Sequence, residues 1–230
     1  MMDGRQVVLN RIRRGLKDVR KGEPAAVGQA NARKTGTAEA PVDWVYGQPT
    51  PMDDVLGRFV ERCADYKARV ERVAAADGVP AVVVRCLADA GAGSVVCPPG
   101  LNPTWWDAVA TAGIAAHGDE PPLSKADLNG IDAVVTTATV GIAETGTIVL
   151  SHGDGQGRRV LTLLPDVHVC VVAADQVVSD VPEAITRLRP FVAAGRPLTW
   201  ISGPSATSDI ELARVEGVHG PRTLIVILVG

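Results

Sequence analysis

Residues 80–136 read PAVVVRCLADAGAGSVVCPPGLNPTWWDAVATAGIAAHGDEPPLSKADLNGIDAVVT. Pro80 to Ala90 has helical spacing. Ser94 to Cys97 is a short apolar run ended by Pro98-Pro99-Gly100. Pro103 to Ala112 is a second helix, with Pro in the first turn, where its missing N–H leaves no bond unmade. Ile114 to Ala116 is a strand, residues 124–129 are about one helical turn, and Ile131 to Thr136 is a buried strand. Strands alternating with helices at this spacing predict an α/β protein with a mostly parallel sheet.

Toward the N-terminus, Asp53 and Asp54 are N-cap types that favour the positive end of a helix dipole. Val55, Leu56, Phe59, Val60, Cys63, Tyr66, Val70 and Val73 form one stripe. The spacing predicts one long helix that stops before Gly78-Val79-Pro80, with Asp54/Arg58 and Asp65/Arg69 as i,i+4 pairs. Before it, residues 21–51 lose periodicity around Pro24, Pro41, Pro49 and Pro51 and read as a linker or surface arm. Residues 5–20 read as a short basic amphipathic helix on Val8, Leu9, Ile12, Leu16 and Val19. The division expected is an N-terminal helix and arm at 1–51 and an α/β domain at 52–230.

Toward the C-terminus the rhythm changes. Gly141 to Leu150 is extended, Ser151 to Gly157 (SHGDGQG) is a Gly-rich turn, and Arg159–Leu164 and Val167–Val172 follow, as in a hairpin region inserted in the sheet. Val181 to Leu188 reads as a helix, Leu198 to Ile201 as a strand, Thr207 to Leu212 as a helical turn and Leu224 to Val229 as a last buried strand.

Composition narrows the function classes. The chain has 230 residues, 46% apolar but only 3% aromatic, and a formal net charge of −3. Such a core must be built from Val, Ala, Leu and Ile, which favour buried strands. The slightly acidic balance argues against nucleic acid held on a broad basic surface. No run approaches ~18 consecutive apolar residues, so no membrane span is expected. The N-terminus lacks an apolar stretch of about 7 residues, so it does not read as a secretory signal, and a cytoplasmic protein is expected. The four cysteines, Cys63, Cys86, Cys97 and Cys170, have no CxxC or cluster spacing. They read as free buried thiols, with a catalytic Cys as the alternative and no metal site expected.

Three segments are richer in special residues than a scaffold needs. In Ala143-Glu144-Thr145-Gly146-Thr147 a carboxylate and two hydroxyls surround a Gly that permits close approach of a ligand or another strand. The competing reading is a bulge with Glu144 capping loose N–H groups. Ile201 to Glu211 (ISGPSATSDIE) reads as a strand, a small-residue loop and a helix start, an arrangement that suits a phosphate or carboxylate. Ser202, Gly203, Ser205, Thr207 and Asp209 are its candidate ligand residues, with simple helix capping as the alternative. In Gly217 to Arg222 (GVHGPR), His219 is the histidine singled out for chemistry. The turn Ser151–Arg159 reads as a solvated hairpin tip, or as an anion contact through Arg158 or Arg159. His117 and His168 sit near strands with no partner signal.

AETGTIVL, LLPDVHVCVV, ISGPSATSDIELARVEGVHGP and LIVILV together resemble the LUD-domain family of the lactate utilization protein C type, and VVLNRIRRGL resembles that family's opening helix. The resemblance is dense over about 130–230 and weaker before it. It implies a three-layer α/β/α fold similar to the NagB/RpiA/CoA-transferase group. It also implies a role in converting L-lactate to pyruvate beside two iron–sulfur partners, lactate-utilization proteins A and B. With no cluster spacing and no flavin or nicotinamide motif, no cofactor is expected in this chain, and the iron–sulfur clusters are assigned to the partners. The leading expectation is a non-redox component with a small-carboxylate or phosphate pocket. The alternative is an independent enzyme doing acyl or phosphoryl chemistry with Glu144 as nucleophile or base and His219 as acid/base partner.

Overall fold

The computed structural model describes residue 10 and residues 49–207, 215–216 and 220–230. The helix expected at 5–20 and the arm at 21–51 lie outside these, apart from Asn10 and residues 49–51. In chain order the elements are helix α1 (Val55–Asp65), strand β1 (Arg69–Val73), α2 (Val79–Asp89), β2 (Ser94–Cys97), α3 (Pro103–Thr111), β3 (Ala115–Gly118), α4 (Lys125–Asn129), β4 (Ala133–Thr137), β5 (Val140–Ile142), β6 (Thr147–Leu150), β7 (Val167–Ala173), β8 (Val177–Val178), α5 (Val181–Ala193), β9 (Thr199–Ile201), β10 (Ala206–Thr207), β11 (Val215–Glu216) and β12 (Thr223–Val229).

Six strands form one sheet in the order β1-β12-β7-β4-β2-β3, every neighbouring pair parallel. Parallel strands are covered on both faces, and this is why β7 (VHVCVVA) and β12 (TLIVILV) are nearly unbroken apolar runs. Val169, Val171, Ile225 and Ile227 pack on Val83 and Leu87 of α2 and Trp105 and Val109 of α3. From the opposite face, Cys170, Val172, Leu224, Val226 and Leu228 meet Phe59 and Cys63 of α1 and Ile148 and Leu150 of β6. Each such Val, Leu or Ile contributes roughly 1.5–3 kcal/mol of transfer free energy. The α/β architecture with a mostly parallel sheet is therefore as its sequence rhythm implies.

The second face holds more than helices. Gly141 to Leu150 is a hairpin of β5 and β6 that builds its own four-stranded sheet, β8-β5-β6-β9, rather than a segment of the main one. Its far side, Val140, Ile142 and Val149, is closed by Ala184 and Leu188 of α5.

Four local expectations are corrected. The long helix from Asp54 ends at Asp65: Lys67 turns left-handed at φ 65°, Lys67 N–H donates to Ala64 O at 2.8 Å, and Ala68 N–H donates to Cys63 O at 3.0 Å. Val70 and Val73, counted in the helical stripe, belong to β1. Asp54 does cap α1, accepting from Gly57 N–H at 2.7 Å, but the ion pairs are Arg58–Glu61 and Arg62–Asp65, three residues apart. Arg159–Thr162 is a 3₁₀ turn. Thr207, expected to begin a helical turn, lies in β10, which pairs antiparallel with β11, and residues 208–212 lie outside the described residues.

Candidate functional site

The first two segments singled out in the sequence meet in space. The β6–β9 pairing aligns Ile148 with Ile201, so Thr147 and Ser202 end their strands side by side. Their hydroxyls are 2.8 Å apart, and Thr145 Oγ1 is 2.8 Å from Thr147 Oγ1, giving a short hydroxyl chain. The glycines of both segments serve packing on α1. At Gly146 (φ 59°) a Cβ would stand 2.6 Å from the carbonyl carbon of Arg62; at Gly203 (φ 84°) it would stand 2.4 Å from Tyr66 O. The close approach read from AETGT is thus that of a helix end. Glu144 is exposed at the hairpin tip, its N–H donating to Ser179 O at 3.0 Å.

Behind the Ser202 loop lies a cleft of about 300 Å³. It is lined by the stretch Thr199 to Ser205, by Arg159, Thr162 and Leu163, and by Gly220 and Pro221, with the buried His168 and Leu224 as its floor. The floor residues are the second residues of β7 and β12, so the cleft lies toward the amino ends of those strands rather than beyond a carboxyl end. Among the described lining residues Arg159 carries the formal charge and none is acidic, so the cleft suits an anion. Ser202, Gly203 and Ser205 line it; Thr145, Gly146 and Glu144 do not. Ser205 N–H donates to Pro221 O at 2.8 Å, tying the loop to the start of β12. Asp209 and His219 lie outside the described residues.

His168 is 1% exposed on the face of β7 that looks toward the small sheet. Its Nε2 is 2.8 Å from Thr136 Oγ1 on β4. Burial pushes its pKa down to about 4, so the ring is neutral near pH 7. Thr136 also donates to Cys170 Sγ at 3.6 Å.

A family model described as the LUD domain matches residues 56–229. The protein named lactate utilization protein C of Deinococcus radiodurans is 48% identical over 187 residues, 80% of this chain and 85% of that protein. The chain belongs to the LUD domain family. A crystal structure described as a DUF162 family protein from Deinococcus radiodurans is similar to this LUD domain with a TM-score of 0.67 and 42% identity, covering 79% of this chain and 100% of that one. Lactate utilization protein C of Bacillus subtilis is 32% identical over 133 residues, matching about half of each chain (56% and 51%).

Two features of this LUD domain escaped the sequence reading. His168 looked like one more residue of a valine strand; its partner Thr136 comes from another strand, and no local pattern links them. The turn Ser151–Arg159 is no solvated tip. Gln156 is buried, its Oε1 accepting from Ser151 N–H at 2.7 Å and His152 N–H at 3.1 Å. His152 bridges Gly157 O at 2.9 Å and Thr199 Oγ1 at 2.7 Å. Arg158 is spent on Asp119, whereas Arg159 reaches the cleft.

The thiols are neutral. Burial pushes Cys63, Cys97 and Cys170 up to about 12 and raises Cys86 as well. A thiolate nucleophile has no support at any of the four. Among the described residues, no group of three or more His, Cys, Asp or Glu is placed to hold a metal ion. No helix among them is long and apolar enough to cross a membrane.

Proposed function

We propose that this chain is a cytoplasmic, non-redox component of L-lactate utilization, acting in the conversion of lactate to pyruvate beside iron–sulfur partner proteins. The observation that carries the reading is the 48% identity, over most of both chains, to a protein named lactate utilization protein C. The cleft supports it: its volume, single guanidinium and hydroxyl walls suit a small carboxylate. The absence of cluster spacing among the four cysteines, each a buried neutral thiol, supports placing electron carriers in the partners. The scaffold is read as similar to the NagB/RpiA/CoA-transferase group, on the strength of the parallel sheet covered on both faces.

Deletion of the gene in its host tests this. Growth on L-lactate should stop, growth on pyruvate should continue, and the tagged chain should bring down proteins that carry iron and sulfide. Normal growth on lactate in a strain with no second copy overturns the reading.

A further inference from the structure

The neutral His168 ring stands at the head of a hydrogen-bond chain whose direction is fixed from its far end. Thr137 O, a carbonyl, can only accept, so the Cys170 thiol donates to it at 3.8 Å. Burial keeps that thiol protonated. Its sulfur receives the Thr136 hydroxyl proton at 3.6 Å. With its one proton committed, Thr136 Oγ1 can only accept, so His168 Nε2 is the protonated nitrogen across the 2.8 Å contact. A neutral imidazole has one N–H, so Nδ1 carries a bare lone pair. No hydrogen bond among the described residues engages it, and His168 lines the cleft.

We propose that the cleft binds a short 2-hydroxycarboxylate, its hydroxyl donating to His168 Nδ1 and its carboxylate held by Arg159. Leu163 and Leu224 offer apolar surface for a short alkyl group. A 2-keto acid has no hydroxyl proton, and its keto oxygen meets the Nδ1 lone pair unfavourably, so the site selects the alcohol over the ketone. This deepens the lactate reading and rests on it for the choice of ligand; the hydroxyl preference rests on the chain from Thr137 to His168.

Titration calorimetry on the full chain with L-lactate, pyruvate and propionate provides the test. L-Lactate should bind about tenfold more tightly than either of the others, the worth of one hydrogen bond. Arg159→Gln should weaken all three alike. Thr136→Val keeps the shape but removes the acceptor that holds Nε2–H, so the lactate-to-pyruvate ratio should fall toward one. Nitrogen-15 spectra of the free protein should show His168 protonated at Nε2, a readout independent of any ligand. Binding of pyruvate as tight as that of lactate, an Nδ1–H tautomer, or carboxylate binding indifferent to Arg159→Gln each overturns the assignment. If deletion abolishes growth on lactate yet the chain binds none of the acids, the cleft assignment falls and the pathway role stands. Growth without the gene, with lactate still bound selectively, removes the pathway role and leaves the site.

Discussion

Arg158 and Asp119 meet edge to edge: Nε lies 2.7 Å from Oδ2 and Nη2 lies 2.7 Å from Oδ1, while Nη2 also donates to Leu123 O at 2.6 Å. The contact joins the loop after β3 to the Gly-rich loop after β6, and the Asp119 side chain is only 4% exposed. The guanidinium, helped by the Leu123 N–H, holds the Asp119 carboxyl below its usual range. A depressed carboxyl stabilises the native state above its unfolded pKa of about 3.9, and that contribution is lost as pH falls through the folded value. Asp119→Asn should cost about 1–3 kcal/mol at pH 7. Urea denaturation at pH 7 and pH 3 checks this, and a variant deficit undiminished at pH 3 counts against it.

His168 shifts stability over a higher pH window. Its folded pKa, near 4, lies below the unfolded value of about 6.5, so the unfolded chain takes up a proton that the native ring refuses. Stability from this residue is pH-independent above about 6.5 and declines by roughly 3 kcal/mol as pH falls to 4. His168→Gln should flatten that slope, even while lowering the plateau. Matching pH profiles for variant and wild type would refute the assignment.

Gly146 should be far less replaceable than Gly91. Both have positive φ, 59° and 71°, but a Cβ at Gly91 meets nothing within 4 Å, whereas at Gly146 it strikes the Arg62 backbone. Gly91→Ala should cost about 1–2 kcal/mol of backbone strain. Gly146→Ala adds overpacking against a fixed helix end, for a total of about 3 kcal/mol or more. Thermal melts compare the two directly, and equal losses would contradict the packing argument.

The thiols should be silent until the fold opens. Iodoacetamide at pH 8 should label none of the four cysteines in the native protein and all four after denaturation, because alkylation needs an accessible thiolate. Mass spectrometry after brief exposure reads the count. A label on native Cys63, Cys86, Cys97 or Cys170 would show that burial is breached.

The sequence was most legible where local pattern and tertiary role agree. α2, β2, α3 and β4 stand close to where 80–136 places them, because each apolar run there is bounded by Gly, Pro or a cap. The α1–β1 boundary was hidden because Val70 and Val73 continue a helical spacing by coincidence, and the turn uses Lys67 where a glycine would have marked it. The loop at 151–159 looks solvated in composition, yet Gln156 and Arg158 hydrogen-bond to partners that only the fold supplies. Within the site, Ser202, Gly203 and Ser205 were visible as a small-residue loop. His168 was not, since its meaning lies in Thr136, one strand away.

The pairing of Arg69 with Ile225 has a consequence for how the chain reaches this state. β1, the first of the described strands, sits at the sheet edge and has β12, the last, as its neighbour. During synthesis β1 must therefore wait, unpaired, until nearly all the intervening sequence has been made. Such non-local closure slows folding and leaves an apolar edge open to wrong partners. The two arginines and the glutamate of RVERV put charge on that waiting strand. Charge on an edge discourages strand-to-strand association, so β1 carries its own safeguard during the interval.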